Sequence, residues 1–202
     1  FGEHHLLKLP GTYVLIQKGE KGAGTVGSAI GHIALKVRDL KGTIARLNAN
    51  GFEVPKPGPR QVTFDGPDAV QIELTEDAAI GAPVILHHVH YFTPAPLEIQ
   101  AWYAKVFGAK PGKRGSYDAA DLPGVNLTFA RSEGATAPTK GRALDHIGFE
   151  VKNLEAFVAK LAAQGIKLDV PYRKLANFGI ALAFLTDPWG TYIELTEDLD
   201  KY

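Results

Sequence analysis

Gly31-His32-Ile33-Ala34-Leu35-Lys36-Val37-Arg38-Asp39-Leu40 and Asp145-His146-Ile147-Gly148-Phe149-Glu150-Val151-Lys152-Asn153-Leu154 are two versions of one passage. Each opens a run of 24 residues that aligns without a gap, to three residues past Gly51 and Gly165. Each version later reaches the same hexapeptide, Ile-Glu-Leu-Thr-Glu-Asp, at 72–77 and 193–198. From the histidine to the first glutamate is 41 residues in one copy (73 − 32) and 48 in the other (194 − 146). A longer hairpin around Asn177–Ala181 accounts for the difference. A further match carries Leu9-Pro10-Gly11 through Glu20 onto Leu122-Pro123-Gly124 through Glu133, at an offset of 113. The chain therefore reads as two copies of a larger unit, each holding two related modules, and the period decides the fold class. Residues 1–79 form the first unit and 80–202 the second.

The module has a readable shape. Ile147–Val151 alternates branched and aromatic residues, as a strand does. Leu154, Phe157, Val158 and Leu161 recur at helical spacing, and Gly165 stands where such a helix ends. Strands are predicted near 166–173 and 180–186 and over Tyr192–Thr196, the last one after the turn Asp187-Pro188-Trp189-Gly190. This is β-α-β-β-β. The module at His32 repeats it, with Leu40, Ile44 and Leu47 as the helical stripe and Gly51 as the stop. A third copy begins with Val84–Phe92 and continues into a helix after Thr93-Pro94. That helix packs Trp102, Tyr103 and Phe107 on its sheet and stops at Gly108. The fold class expected is α+β, with tandem βαβββ modules. The first module is incomplete: Val84 maps back to −29 (84 − 113), so its first strand and helix are expected to precede Phe1. Gly22-Ala23-Gly24-Thr25-Val26-Gly27 fits a dinucleotide-loop pattern but precedes a strand, so it reads as a linker. Its counterpart at 134–141 is also a linker.

Composition narrows the chemistry. A net charge of zero over 202 residues offers no basic field for nucleic acid or anionic lipid. No apolar run reaches the roughly 18 residues of a membrane span. With no cysteine, any metal must be held by His, Asp or Glu. The expected partner is a small-molecule substrate, with a homodimer left open. The compartment is left unknown, with the cytoplasm as the default and periplasm or secretion open because the chain starts at Phe1 without a Met.

In each module a histidine stands near the start of the first strand and a glutamate in the middle of the last. His88 aligns with His146, and Thr128 aligns with Glu194. The second unit thus offers His88, His146 and Glu194, two imidazoles and one carboxylate, a donor set for a divalent metal with open coordination positions. His90 shares the face of His88 and is either a ligand in its place or a catalytic base, whereas His87 is expected to point the other way. His32 and Glu73 form the matching pair in the first unit, a vestigial metal site. Tyr192, Asn126 and Thr128 are expected on the inward face as substrate contacts, with Tyr172 and Arg173 on a neighbouring strand as further candidates. His4-His5 at the chain end is a surface pair.

Paired modules, a histidine in each first strand and the closing Asp-Pro-Trp-Gly-Thr-Tyr-Ile-Glu-Leu-Thr-Glu-Asp make the chain resemble the vicinal-oxygen-chelate group, which holds glyoxalase I, bleomycin-resistance proteins and extradiol dioxygenases. The resemblance implies half-open, cup-shaped mixed β-sheets around one divalent metal (Fe2+, Zn2+, Mn2+ or Ni2+). It also implies a substrate chelated through two adjacent oxygens, in dioxygenase, lyase or isomerase chemistry. Glyoxalase I members usually have a fourth ligand, a glutamate in the last strand of the first module, where this chain has Thr128 and Leu15. The alternative is a protein that sequesters a ligand in the same cup without catalysis.

Overall fold

The computed structural model describes residues 4–20 and 22–201. The opening Phe1-Gly2-Glu3, where a truncation is expected, lies outside them. Among the described residues, thirteen strands and three α-helices follow the modular order. The first module contributes a hairpin, β1 (His4–Leu9) and β2 (Thr12–Gln17). The second contributes β3 (Ile30–Val37), α1 (Leu40–Ala49), β4 (Gln61–Asp65) and β5 (Gln71–Glu76). The third gives β6 (Val84–Thr93), α2 (Pro96–Phe107), β7 (Lys110–Arg114), β8 (Tyr117–Leu122) and β9 (Val125–Arg131). The fourth gives β10 (Ile147–Glu150), α3 (Leu154–Ala163), β11 (Val170–Leu175), β12 (Ile180–Thr186) and β13 (Tyr192–Glu197). No helix among the described residues is long and apolar enough to cross a membrane.

The repeat preserves its capping chemistry. The Asp39 side chain accepts from the Gly42 N–H, and its counterpart Asn153 accepts from the Ala156 N–H. The second glutamate of the shared hexapeptide works at the same end. Glu76 accepts from the Leu40 N–H at 3.1 Å and Glu197 from the Leu154 N–H at 3.3 Å. Each carboxylate thereby ties the last strand of its module to the electropositive helix start. The first glutamate of the hexapeptide is left free for other work.

The second module departs from the expected β-α-β-β-β. Its helix is followed by only two strands, and residues 52–60 carry no ladder. Pro55, Pro57 and Pro59 lie in that stretch, and a proline has no N–H to give to a sheet.

The sheets divide the chain differently from the repeat. One sheet has seven strands in the order β4-β5-β3-β6-β9-β8-β7, and another has four, β10-β13-β12-β11. The expected partition at 79/80 falls inside the larger sheet, because β3 pairs antiparallel with β6. The second and third modules therefore share one curved sheet. The fourth has its own, and β1 and β2 form a separate pair. The sheets meet through the helices. Phe107 of α2 touches Phe149 and Phe157, and Trp102 touches Trp189, in a core that includes Val89, Tyr91, Leu127 and Phe129 on one side and Leu185, Ile193 and Leu195 on the other. A buried chain of hydrogen bonds crosses this core. The Tyr91 hydroxyl donates to that of Tyr103, which donates to Asp187 Oδ2. Asp187 also accepts from the Trp189 and Thr191 N–H groups, so the carboxylate is well satisfied despite its burial.

Candidate metal centre

Register fixes the concave face of the larger sheet. His90 stands opposite His32 on β3 and opposite Thr128 on β9; His88 stands opposite Ala34 and Asn126; Glu73 stands opposite Ala34. Directly paired residues point to one side of a sheet, so His32, Glu73, His88, His90, Asn126 and Thr128 share a face. Val89, Tyr91, Leu127 and Phe129 take the other face, against α2. His87 is the exception to alternation. Leu86 pairs with Leu35 and His88 with Ala34, so His87 is the extra residue of a bulge. The expectation that it points away is corrected: its Nδ1 lies 3.3 Å from His88 Nδ1.

The imidazoles converge. The ring centroids of His32 and His90 are 4.4 Å apart, and those of His32 and His88 are 5.5 Å apart. One ligand nitrogen from each of His32, His88 and His90 lies within 4.8 Å of the others, and Glu73 forms a second such group with His87 and His88. Glu73 Oε2 is 3.5 Å from His32 Nε2, and Glu73 Oε1 is 3.6 Å from Arg114 Nη2. Arg114 comes from β7, the far edge strand, so the sheet curls until opposite ends face each other across the cup. His32 Nε2, His88 Nε2 and both nitrogens of His90 are buried without a hydrogen-bond partner. Burial of a polar atom without a partner costs on the order of 1–3 kcal/mol, and one such nitrogen from each of three clustered rings calls for a shared partner. A cation that accepts lone pairs fits them, and the all-nitrogen-and-oxygen donor set suits a first-row divalent metal.

Electrostatics leaves these donors ready. Burial, reinforced by Arg114, pulls the His88 pKa down to about 2. Burial and the neighbouring His32 and Arg114 hold His90 at about 4. For Glu73 burial acts upward, but contact with His32 and the charges of His88 and His32 outweigh it and bring the carboxyl to about 2. At neutral pH His88 and His90 are neutral and Glu73 is ionised, the forms that bind metal.

The expected triad is divided by the sheet topology. His88 lies in the seven-stranded sheet, whereas Glu194 lies in the four-stranded one and His146 immediately precedes its strand β10. The two histidines stand at equivalent positions of modules that do not share a sheet. His146 is held between two carboxylates, Asp145 Oδ1 at 2.7 Å from Nδ1 and Glu194 Oε2 at 3.3 Å from Nε2. Burial alone would lower its pKa, but hydrogen bonds to Glu194 and Asp145 prevail and raise it. Around it stand Phe184 and Tyr192, which stack on each other, and Lys140 lies 4.3 Å over the Tyr192 ring. Arg173 pairs with Leu182 and so shares the face of Glu194, whereas Tyr172 packs into the core instead of the cup. In the larger cup Thr128 donates to Asn126 Oδ1, and Asn126 donates to Asp121 Oδ1. His32 and Glu73, read from the sequence as a vestigial pair, sit with His88 and His90.

Three residues of the cup carried no sequence signal: Arg114, Tyr117 and Phe92. Tyr117 meets the His90 ring edge-on at 5.1 Å, and Phe92 stacks on it at 5.2 Å. Gly31 makes room for Phe92, since a Cβ there would fall against the ring. Gly31→Ala should cost about 1–3 kcal/mol in chemical denaturation, as overpacking does. An unchanged midpoint would show that Phe92 has other places to go.

The sequence profile of the Glyoxalase/Bleomycin resistance protein/Dioxygenase superfamily matches residues 85–195. The chain belongs to this superfamily. No curated protein matches it in sequence. Among solved structures, the superfamily fold is shared with glyoxalase I from Zea mays, at 19% identity and a TM-score of 0.71 over 94% of this chain and 74% of that one. Its V278E variant gives 20% identity and a TM-score of 0.72, with the same coverage of both chains. A candidate dioxygenase from Bacillus subtilis gives 14% identity and 0.68 over 94% and 69%. At these identities the likeness speaks for the superfamily's cup-shaped α+β fold.

Proposed function

We propose that this chain is a metal-dependent vicinal-oxygen-chelate protein whose working site is the cup of the seven-stranded sheet, with His32, Glu73 and His88 as the metal's core ligands. The observation that carries the reading is the grouping of His32, His88 and His90 nitrogens, buried without hydrogen-bond partners, beside the ionised Glu73, which lies 3.5 Å from His32. The donor set is still two imidazoles and one glutamate, but it is drawn from the second and third modules. A divalent metal bound there supplies Lewis acidity to two adjacent oxygens of a small substrate. The protein's own groups do the rest. Glu73 balances the cation's charge, the Tyr117 and Phe92 rings hold the His90 imidazole in place, and Arg114 stands ready to meet an anionic oxygen. His90 is neutral at physiological pH, so it can take a proton or donate a lone pair. His146, Glu194 and Asp145 form a second, smaller cluster in the other sheet, with Tyr192 and Arg173 beside it.

The test is elemental analysis of untagged protein, followed by an oxygen-uptake screen with catechols. Near-stoichiometric divalent metal is expected, with iron plus uptake marking a dioxygenase and zinc or nickel without uptake marking isomerase or lyase work. Metal below roughly a tenth of an equivalent after soaking would overturn the reading. The cup would then be a sequestering pocket of the bleomycin-resistance type.

A further inference from the structure

The register between first and last strands in the second, third and fourth modules shows a substitution that balances itself. In the second module the parallel partners at the metal face are Ala34 and Glu73; in the fourth they are Gly148 and Glu194; in the third they are His90 and Thr128. In two cases a small residue on the first strand faces a glutamate on the last. In the third the order is exchanged. The large polar side chain has moved to the first strand, and the short one stands on the last.

Volume explains why the two changes go together. Thr128 is completely buried and its hydroxyl is spent on Asn126 Oδ1. It leaves a gap where a glutamate would reach into the cup. The His90 ring occupies that side of the cup, fixed between Phe92, Tyr117 and His32. Neither of its nitrogens has a partner, although the side chain is buried. A packing residue would not need an imidazole there, and an imidazole kept for hydrogen bonding would have a partner.

We infer that His90 is the fourth protein ligand of the metal, standing in for the carboxylate that Thr128 no longer provides. The inference rests on the metal-site reading above and deepens it. It gives the site three imidazoles and one carboxylate, so a bound divalent cation keeps a net positive charge of one (2 − 1). Two carboxylates would have neutralised it. An anionic oxygen chelate is favoured by such a centre, and Arg114 adds to the same field.

Cobalt(II) titration of the whole chain tests this, with affinity read by competition and geometry by the visible d–d absorption. Wild type should bind and give a defined band. His90→Gln keeps most of the volume and should shift the band and weaken binding roughly 10-fold or more. His90→Ala/Thr128→Glu rebuilds the Ala34–Glu73 arrangement and should recover most of the affinity with a different band. If wild type binds cobalt while His90→Gln matches it in band and affinity, the inference is overturned and the metal-site reading stands. If wild type takes up no cobalt, the metal-site reading itself is overturned.

Discussion

Glu73→Gln should weaken divalent-metal binding by roughly 100-fold or more, while Glu194→Gln leaves the tightest site unchanged. Loss of a ligand's second-layer partner already costs about 10–100-fold, and Glu73 is the carboxylate that lies against His32 and groups with His87 and His88. Gln keeps the size but removes the charge and one acceptor oxygen. The carboxylate is also the cup's electrostatic hinge, lying against His32 at 3.5 Å and Arg114 at 3.6 Å. Isothermal titration of both variants with zinc separates the two candidate sites. A loss confined to Glu194→Gln would place the metal at the four-stranded sheet instead of the larger cup.

Acid should destabilise the metal-free protein well before its carboxylates titrate. His88 and His90 have folded pKa values of about 2 and about 4, both below the ordinary 6.5. The unfolded chain therefore binds more protons than the native one below pH 6.5, and native stability falls as pH drops through that window. Each pH unit costs up to about 1.4 kcal/mol per histidine. From pH 6.5 to 4.5 the pair accounts for on the order of 3–5 kcal/mol, a large share of a typical domain's stability. His146 works the other way. Its raised pKa gives stability that is present below 6.5 and lost as pH rises through the folded value, so it offsets part of the loss. Glu73 enters last, since its contribution holds above the ordinary 4.5 and is lost as pH falls toward about 2. Urea unfolding after chelation, at pH 7 and pH 5, should show the drop, and saturating zinc should reverse it in proportion to occupancy. Equal stability at both pH values would mean that water already satisfies the buried rings.

Much of this architecture is legible in the sequence because it is local. Helix stripes, the caps at Asp39 and Asn153 and the stops at Gly51, Gly108 and Gly165 are short-range matters of spacing and backbone freedom. The two hexapeptides likewise mark both last strands. What the sequence conceals is which modules meet. Similarity between repeats records shared descent, and edge pairing is decided by the chain between modules and by the cores beneath. Hence His88 and His146 align and yet stand at different sheets, His88 within β6 and His146 just before β10. The bulge at His87 is hidden for a related reason, because alternation assumes an unbroken ladder. Arg114 and Tyr117 reach the cup only through curvature of the sheet, which no periodicity reports. The missing third strand of the second module was readable in retrospect from Pro55, Pro57 and Pro59.

The antiparallel seam between β3 and β6 has a consequence for how this protein can be taken apart. It runs through the place where the repeat invites a cut, so residues 80–202 expressed alone would bare the whole length of β6 as an unpaired edge, an invitation to aggregate. The N-terminal piece would carry the complementary edge on β3. Mixed together, the two pieces should recognise each other as a split protein does, and the metal pocket would exist only in the reassembled pair.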